Sequence, residues 1–300
     1  MAKLTRIAPT PSGYLHAGNA VSFLLTAAIA KKAGAKLLLR IDDLDAPRVE
    51  QVFIEDIFIQ LEWLGIEIDG GPSTVAEVAS YSQQLKVDLY LEALTALAER
   101  QTIYACRCSR KQWQQAGHRH YPGTCRSLGL PFDDVHAWRF NTVNAHSQLN
   151  EISDTQVDLS LEQVMGDFVV RRRDGLPAYQ VASLFDDEQA GVNLVVRGID
   201  LLPSSLAQAA LSRSLGYSFH EAGFCHHLLI AAKDGSKLSK SRADSPLKEM
   251  REFDNDPAWL FELAGLQLGQ TGVNNFDELL SHLDLSNLRW HRGLKNLDPA

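Results

Sequence analysis

No apolar run in the 300 residues reaches the roughly 18 that a membrane-spanning helix requires, and the N-terminus carries no secretory h-region. A cytoplasmic protein with no membrane association is therefore expected. Cysteine is scarce: the four thiols, Cys106, Cys108, Cys125 and Cys225, are too few for a disulfide framework and read as free thiols or metal ligands. Positive charge is also in deficit. A net charge of −8 excludes loose, charge-driven binding to nucleic acid, but it leaves room for a local basic face that docks one structured RNA. Internal repeats and low-complexity tracts are missing too, which sets aside solenoids and disordered arrays. With 45% apolar residues the chain can bury a full core as one elaborated domain or two.

What is present is a grammar of strands and helices. "LTRIA" reads as a short strand, and the prolines at 9 and 11 with Gly13 forbid a helix in the loop that follows. A helix is expected from about His16 to Lys32. "AKLLLRIDDLD" (35–45) is a buried strand run ending in acids, and "VEQVFIEDIFIQLEWLGIEI" and "SQQLKVDLYLEALTALAERQ" carry helical spacing. Strand, helix, strand, helix implies a parallel sheet. From 106 to about 160 the pattern turns irregular and polar, as an insertion would. The hydrophobic segments of "DFVVRRRDGLPAYQVASLFDDEQAGVNLVVRGIDLL" are spaced as paired or crossing strands. "SSLAQAALSRSLG" is a helix with Ser204 or Ser205 as its cap, and a short helical tail closes the chain.

Two loops carry chemistry. At the first, a helix start presents backbone N–H groups and a dipole that attract phosphate; Gly18 permits close approach, while His16 and Asn19 offer donors to phosphate or ribose. The second, "KDGSKLSKSR" (233–242), gathers three lysines and an arginine around a glycine. Lys237 and Lys240 could clamp a triphosphate as pyrophosphate leaves, each supplying roughly 3 kcal/mol to the transition state. The thiols at 106, 108 and 125 cluster closely enough to bind zinc, and from spacing alone His118 or His120 is the natural fourth ligand. Cys225, in "GFCHHLLI", reads as plain core.

"HAGN" (16–19) and "KLSKS" (237–241) resemble the HIGH and KMSKS signatures of class I aminoacyl-tRNA synthetases. Between them, "TRIAPTPSGYLHAGNA", "LLLRIDDLD", "AYQVASLFDD" and "LVVRGIDLL" resemble the catalytic core of glutamyl-tRNA synthetases over roughly residues 4–245. The resemblance implies a Rossmann-like α/β catalytic domain split into 1–105 and 165–245, a zinc-bearing insertion at 106–164 and a short helical region at 246–300. ATP with magnesium would bind at His16, Gly18, Asn19, Lys237, Ser239 and Lys240, and catalysis would rest on positioning and electrostatics.

The same resemblance assigns L-glutamate to Arg6, Ala8, Thr10, Asp42, Tyr179 and Arg197. Guanidinium forks suit a carboxylate, so an acidic amino acid is expected. Thr10 stands where a serine is common, Asp42 where a glutamate receives the α-amino group, and Ser183 replaces an asparagine. In truncated members of the family a tyrosine completes the metal site, and "YPGTC" places Tyr121 in that role. Only 58 residues follow Arg242, so no anticodon-binding domain is expected. Such truncated paralogues attach glutamate to queuosine in the anticodon loop, which implies the tRNA(Asp) anticodon stem-loop as partner of a monomer. The RNA would meet a face including Arg171 to Arg173 and residues 118–126. Charging of the tRNA 3′ end, a non-catalytic RNA-binding relic and an unrelated nucleotidyl transferase are the competing readings.

Overall fold

The computed structural model describes residues 3–145, 147–153, 156–230 and 245–288. β1 (Leu4–Ile7) runs through the proline-bearing loop into α1 (Ala17–Ala33), and β2 (Lys36–Leu39) returns parallel to β1 with Arg6 opposite Leu38. α2 (Gln51–Trp63), the single turn α3 (Val78–Tyr81) and α4 (Val87–Glu99) lead to β3 (Ile103–Cys106). Then come α5 (Arg110–Gln115), β4 (Ala137–Phe140), β5 (Gln148–Glu151), β6 (Gln156–Asp158), the turn α6 (Leu161–Val164) and β7 (Val169–Arg171). α7 (Tyr179–Ala190), β8 (Leu194–Gly198), α8 (Leu202–Leu215) and β9 (Gly223–His227) complete the sheets. α9 (Leu247–Phe253), α10 (Ala258–Gln267) and α11 (Phe276–His282) follow.

Two ladders lie side by side. One is the parallel pair β2–β1; the other has the order β6–β5–β9–β8, parallel except for the edge strand β6. They meet where Asn193 N–H donates to Leu4 O at 3.1 Å and Leu4 N–H donates to Asn193 Oδ1 at 2.9 Å. From that seam the chain winds outward in opposite directions, from β1 to β2 and from β8 to β9. A crevice therefore opens at the carboxyl ends of β1 and β8, the position at which open α/β sheets bind ligands. A separate antiparallel sheet, β3–β4–β7, stands beside them.

α1 is apolar almost all round because it is covered on several sides at once: it packs on β8 and β1 and is capped outside by α10 and α11. This coverage explains why "AVSFLLTAAIA" shows no amphipathic period. Leu260, Phe261, Ala264 and Leu279 from the C-terminal helices share one buried cluster with it. Among the described residues no helix is long and apolar enough to cross a membrane.

Three expectations need correction. The insertion drawn at 106–164 does not follow the sheets, because β5 pairs with β9 and brings 148–158 into the central ladder. Its short strands "QLNE" and "QVD" bury only alternate residues, so their polar composition hid them. Within 167–202, "YQVASLFDDEQA" is helix α7 rather than a strand, ended by Gly191 at φ 74°. Finally, α8 starts at Leu202 with Pro203 in its first turn, so Ser204 and Ser205 lie inside the helix and do not cap it.

Candidate active site and cysteine cluster

The loop after β1 ends in a reciprocal cap. His16 Nδ1 accepts from Gly18 N–H at 3.1 Å, and His16 N–H donates to Asn19 Oδ1 at 3.0 Å. An accepting Nδ1 leaves the proton of the neutral ring on Nε2, which makes His16, exposed and outside the walls of both cavities described below, a donor to solvent. A Cβ on residue 18 would lie 2.8 Å from His16 Cε1, so the glycine makes room first for the histidine ring. Asn19 spends its oxygen on the cap and keeps its amide for a ligand.

A cavity of about 350 Å³ lies in the crevice, with Arg6, Ala8, Thr10, Asn19, Tyr179 and Arg197 in its wall. Five of these were expected to hold the amino acid. The sixth member of that set, Asp42, faces a neighbouring cavity of about 200 Å³ that shares Thr10 and Tyr179 with the first. Asp42 is drawn there by Arg40, whose Nε donates to Asp42 Oδ1 at 2.6 Å and whose Nη2 lies 3.3 Å from Oδ2. Burial pushes the Asp42 carboxyl up, and Arg40 offsets only part of that rise. Ser183 is fully buried and accepts from Arg40 Nη2 at 3.0 Å, a structural partner of the network.

The arginines differ in their counter-ions. Arg6 Nε donates to both oxygens of Asp187, at 2.9 and 3.1 Å, and Arg40 Nη1 reaches the same carboxylate at 2.5 Å. Burial acts to raise Asp187, yet Arg6 and Arg40 outweigh it and hold the carboxyl below its ordinary value. Arg197 has no such anion. Its Nη1 donates to Gln208 Oε1 at 2.9 Å and lies 3.4 Å from Ser205 Oγ, while Nε and Nη2 find no hydrogen-bond partner among the described residues. Burial pushes this guanidinium below the usual arginine value; Tyr179 and the more distant Asp187 offset part of that, and the like charges of Arg6 and Arg40 add to it.

Arg40, Asp187, Gln208, His226 and Glu151 were not singled out by the sequence, and Ser205 was read there only as a helix cap. "LLLR" looks like an ordinary strand end, and "FDDE" on α7 looks like a solvated helix face. The double histidine in an apolar strand was the available signal: Ser205 Oγ lies 2.7 Å from His226 Nε2, and His226 Nδ1 faces the Glu151 carboxylate.

Lys237, Ser239 and Lys240 lie outside the described residues. The described chain on either side of them converges on the first loop: His227 Nε2 lies 3.0 Å from Ser22 Oγ on α1, Pro246 bridges to His16, and Leu247 N–H donates to Leu15 O at 2.7 Å.

At the end of β3, the Sγ atoms of Cys106, Cys108 and Cys125 lie within 4.8 Å of one another. Tyr121 Oη sits among them, 3.3 Å from Cys106 Sγ, 3.7 Å from Cys108 Sγ and 2.9 Å from Cys125 N, whose N–H it accepts. His118 and His120 contribute no atom to the cluster. Arg139 closes it from one side, its guanidinium 3.9 Å from the Tyr121 ring centroid. Three soft sulfurs with one oxygen suit a closed, tetrahedral zinc site. Cys225 is buried in the core cluster as expected. Of the arginines expected on an RNA face, Arg171 instead turns inward: it is buried, 4.8 Å from the Trp138 ring and 2.9 Å from Asp134. Arg126 is likewise spent on Asp167. Arg107, Arg110, Lys111 and Arg173 are exposed near the sulfurs.

A crevice at the switch point of a parallel sheet, with a capped helix start on one wall and arginines on the other, defines an α/β enzyme that seats a nucleotide beside an anionic substrate. The family described as tRNA synthetases class I (E and Q), catalytic domain, matches residues 3–296, and the chain belongs to that family. A protein of Pseudomonas fluorescens named glutamyl-Q tRNA(Asp) synthetase is 41% identical over 244 residues, covering 81% of this chain and 78% of that relative. One of the same name from Parasynechococcus marenigrum is 37% identical over 287 residues, covering 95% and 90%. Among solved structures, the glutamate-tRNA synthetase of Elizabethkingia anophelis aligns with a TM-score of 0.76 at 25% identity, over 96% of this chain and 67% of that one. The chain thus spans about two thirds of that synthetase.

Proposed function

We propose that the chain activates L-glutamate with ATP to glutamyl-adenylate and transfers the glutamyl group to the queuosine base of tRNA(Asp). The observation that carries this reading is the name shared by curated relatives that the chain matches over most of their length. The pocket supplies the chemistry. Arg197 offers two unpartnered guanidinium nitrogens to a side-chain carboxylate, with Arg6 beside it, and Tyr179 and Thr10 stand where the backbone of the amino acid would lie. Asp42 reaches the α-ammonium from the adjoining cavity, through water if the shorter side chain falls short.

ATP, as its magnesium complex, would lie along the start of α1, with His16 Nε2 and the Asn19 amide donating to it. The α-carboxylate attacks the α-phosphorus in line and pyrophosphate leaves. Lys237 and Lys240, on the strength of the sequence alone, stabilise that departing charge. A hydroxyl of the queuosine cyclopentenediol then attacks the mixed anhydride and releases AMP. No side-chain nucleophile is needed, because positioning and charge stabilisation carry the reaction.

Zinc held by Cys106, Cys108, Cys125 and Tyr121 would be structural, tying the β3 end to the 121–125 turn. The exposed Arg107, Arg110, Lys111 and Arg173 around it would give tRNA(Asp), entering by its anticodon stem-loop, a local basic face on an acidic protein. The test incubates the protein with ATP, labelled glutamate and queuosine-containing tRNA(Asp), then digests the RNA to nucleosides. Label on queuosine is expected; label on the terminal adenosine overturns the reading in favour of 3′-end charging.

A further inference from the structure

Arg6 and Arg197 enter the same cavity from neighbouring strands, yet the protein treats their charges in opposite ways. Arg6 is neutralised by a fully buried carboxylate, Asp187. Arg197 is 4% exposed and is held on one nitrogen only, by the amide oxygen of Gln208 and the hydroxyl of Ser205. Asp187, the carboxylate whose charge acts on Arg197 through space, is spent on Arg6 and Arg40 and makes no hydrogen bond to Arg197, and Glu151 of β5 is spent on His226 of β9. His226 in turn sets Ser205, so the anion stands one imidazole and one hydroxyl away from the guanidinium.

Glu151, His226 and Ser205 have the connectivity of a hydrolase triad. That role is closed to them. Ser205 is fully buried and lines neither cavity, so its hydroxyl meets no substrate. What the hydroxyl does meet is Arg197. We propose that Glu151, His226, Ser205 and Gln208 are positioning residues that hold Arg197 by uncharged acceptors alone, so that the substrate's own carboxylate becomes its counter-ion and glutamate is selected over glutamine. The proposal rests on the glutamate-activating reading above and specifies how that pocket discriminates.

The physical basis is the cost of a buried, unpaired cation. In the empty pocket Arg197 is desolvated without an anion, an arrangement whose cost falls only when a carboxylate arrives. An uncharged amide of the same shape leaves the cation unpaired, and a site built around a buried charge rejects the uncharged analogue far more strongly than a missing methylene. A carboxylate placed in the clamp would cancel the effect, because Arg197 would then be satisfied as Arg6 is. Gln208 is the position where this can be done without changing shape. Its Nε2 is itself buried without a partner, so the amide gains no compensating bond there.

The experiment compares wild type, Gln208→Glu and Ser205→Ala by ATP–pyrophosphate exchange with L-glutamate and with L-glutamine, tRNA being present, alongside thermal melting. Gln208→Glu is expected to raise KM for glutamate about tenfold or more while kcat changes less than about threefold. Its ratio of kcat/KM for glutamate over glutamine should fall by about tenfold or more. Ser205→Ala keeps the clamp uncharged, so it should raise KM for glutamate by about threefold to tenfold and leave the preference in place. A Gln208→Glu protein that melts like wild type and keeps its KM and preference overturns the proposal. Should that variant fail to fold, an unchanged KM in Ser205→Ala overturns it equally. Wild-type protein that exchanges with neither amino acid removes the glutamate reading itself, and the clamp with it.

Discussion

The charged crevice and the sulfur cluster are both largely buried and polar, but the crevice joins side chains far apart in sequence while the cluster is drawn from residues 106–125, and they differ in what holds them before any ligand arrives. In the crevice Arg6, Arg40 and Lys86 face Asp42, Asp186 and Asp187 through contacts of 2.5–2.9 Å, so the side chains fix one another. In the cluster the sulfurs meet one another, the Tyr121 phenol and Arg139 Nε only at 3.3–3.7 Å, weak hydrogen bonds at best, and the one short bond runs from Cys125 N–H to Tyr121 Oη at 2.9 Å. One centre is preorganised by its own charges. The other gains its full cohesion only from a cation. Damage to the first should therefore appear in folding and substrate binding even with no metal present, whereas damage to the second should appear as lost metal.

The sharpest way to break that contrast is Asp187→Asn. It leaves Arg6 and Arg40 buried around a neutral group, which should cost roughly 3–5 kcal/mol. For a chain of this length the melting temperature should drop by on the order of 6–15 °C. A melting temperature within 2 °C or so of wild type would mean that the crevice is not held by its ion pairs. Arg197→Ala comes next and separates holding from binding. Arg197 has no anion to abandon, so folding should be spared, while kcat/KM for glutamate activation should fall by about a hundredfold, close to 3 kcal/mol. Loss of stability matching that of Asp187→Asn would erase the distinction between the two arginines.

On the sulfur side, Tyr121→Phe is the decisive substitution, because it removes one oxygen and leaves the ring under Arg139. Metal affinity should fall by about 10- to 100-fold, read by competition with a chelator, while His120→Ala leaves it unchanged. The reverse pattern would return the fourth ligand to histidine.

The sequence made the first loop, the apolar helix after it and the three clustered cysteines legible, because each is set by local chemistry: prolines that exclude a helix, a cap, a short spacing of thiols. It hid whatever depends on partners brought from afar. Arg40 and Asp187 read as a strand end and a helix face until the fold places them 2.5 Å apart. Asp42 was expected to wait for an ammonium, and its engagement by Arg40 could not be seen without the turn that brings both side chains to one wall. β5 was lost in a polar stretch because a four-residue strand leaves too little alternation to register. Arg171 was assigned to an outer basic face because a run of three arginines looks uniform, whereas only Arg171 belongs to β7 and packs inward, and Arg172 and Arg173 lie in the turn beyond it.

The smallest expected effect tests where the two kinds of holding meet, at the mouth of the crevice. Gly18→Ala adds a Cβ 2.8 Å from His16 Cε1, and the ring at that distance is the mobile partner, free to swing away. Losing the bond from Gly18 N–H to Nδ1 should cost about 1 kcal/mol, and replacing glycine with alanine inside a helix should return up to about the same. Folding stability should therefore change by less than about 1 kcal/mol, a shift of a few degrees at most. The donor on Nε2 will nevertheless have moved with the ring, and a hydrogen bond to a charged phosphate is worth about 1.5–3 kcal/mol. KM for ATP should rise by at least about tenfold with the melting temperature nearly still. An unchanged KM would show that the glycine serves the cap alone, and that the crevice, unlike its buried floor, tolerates displacement at its rim.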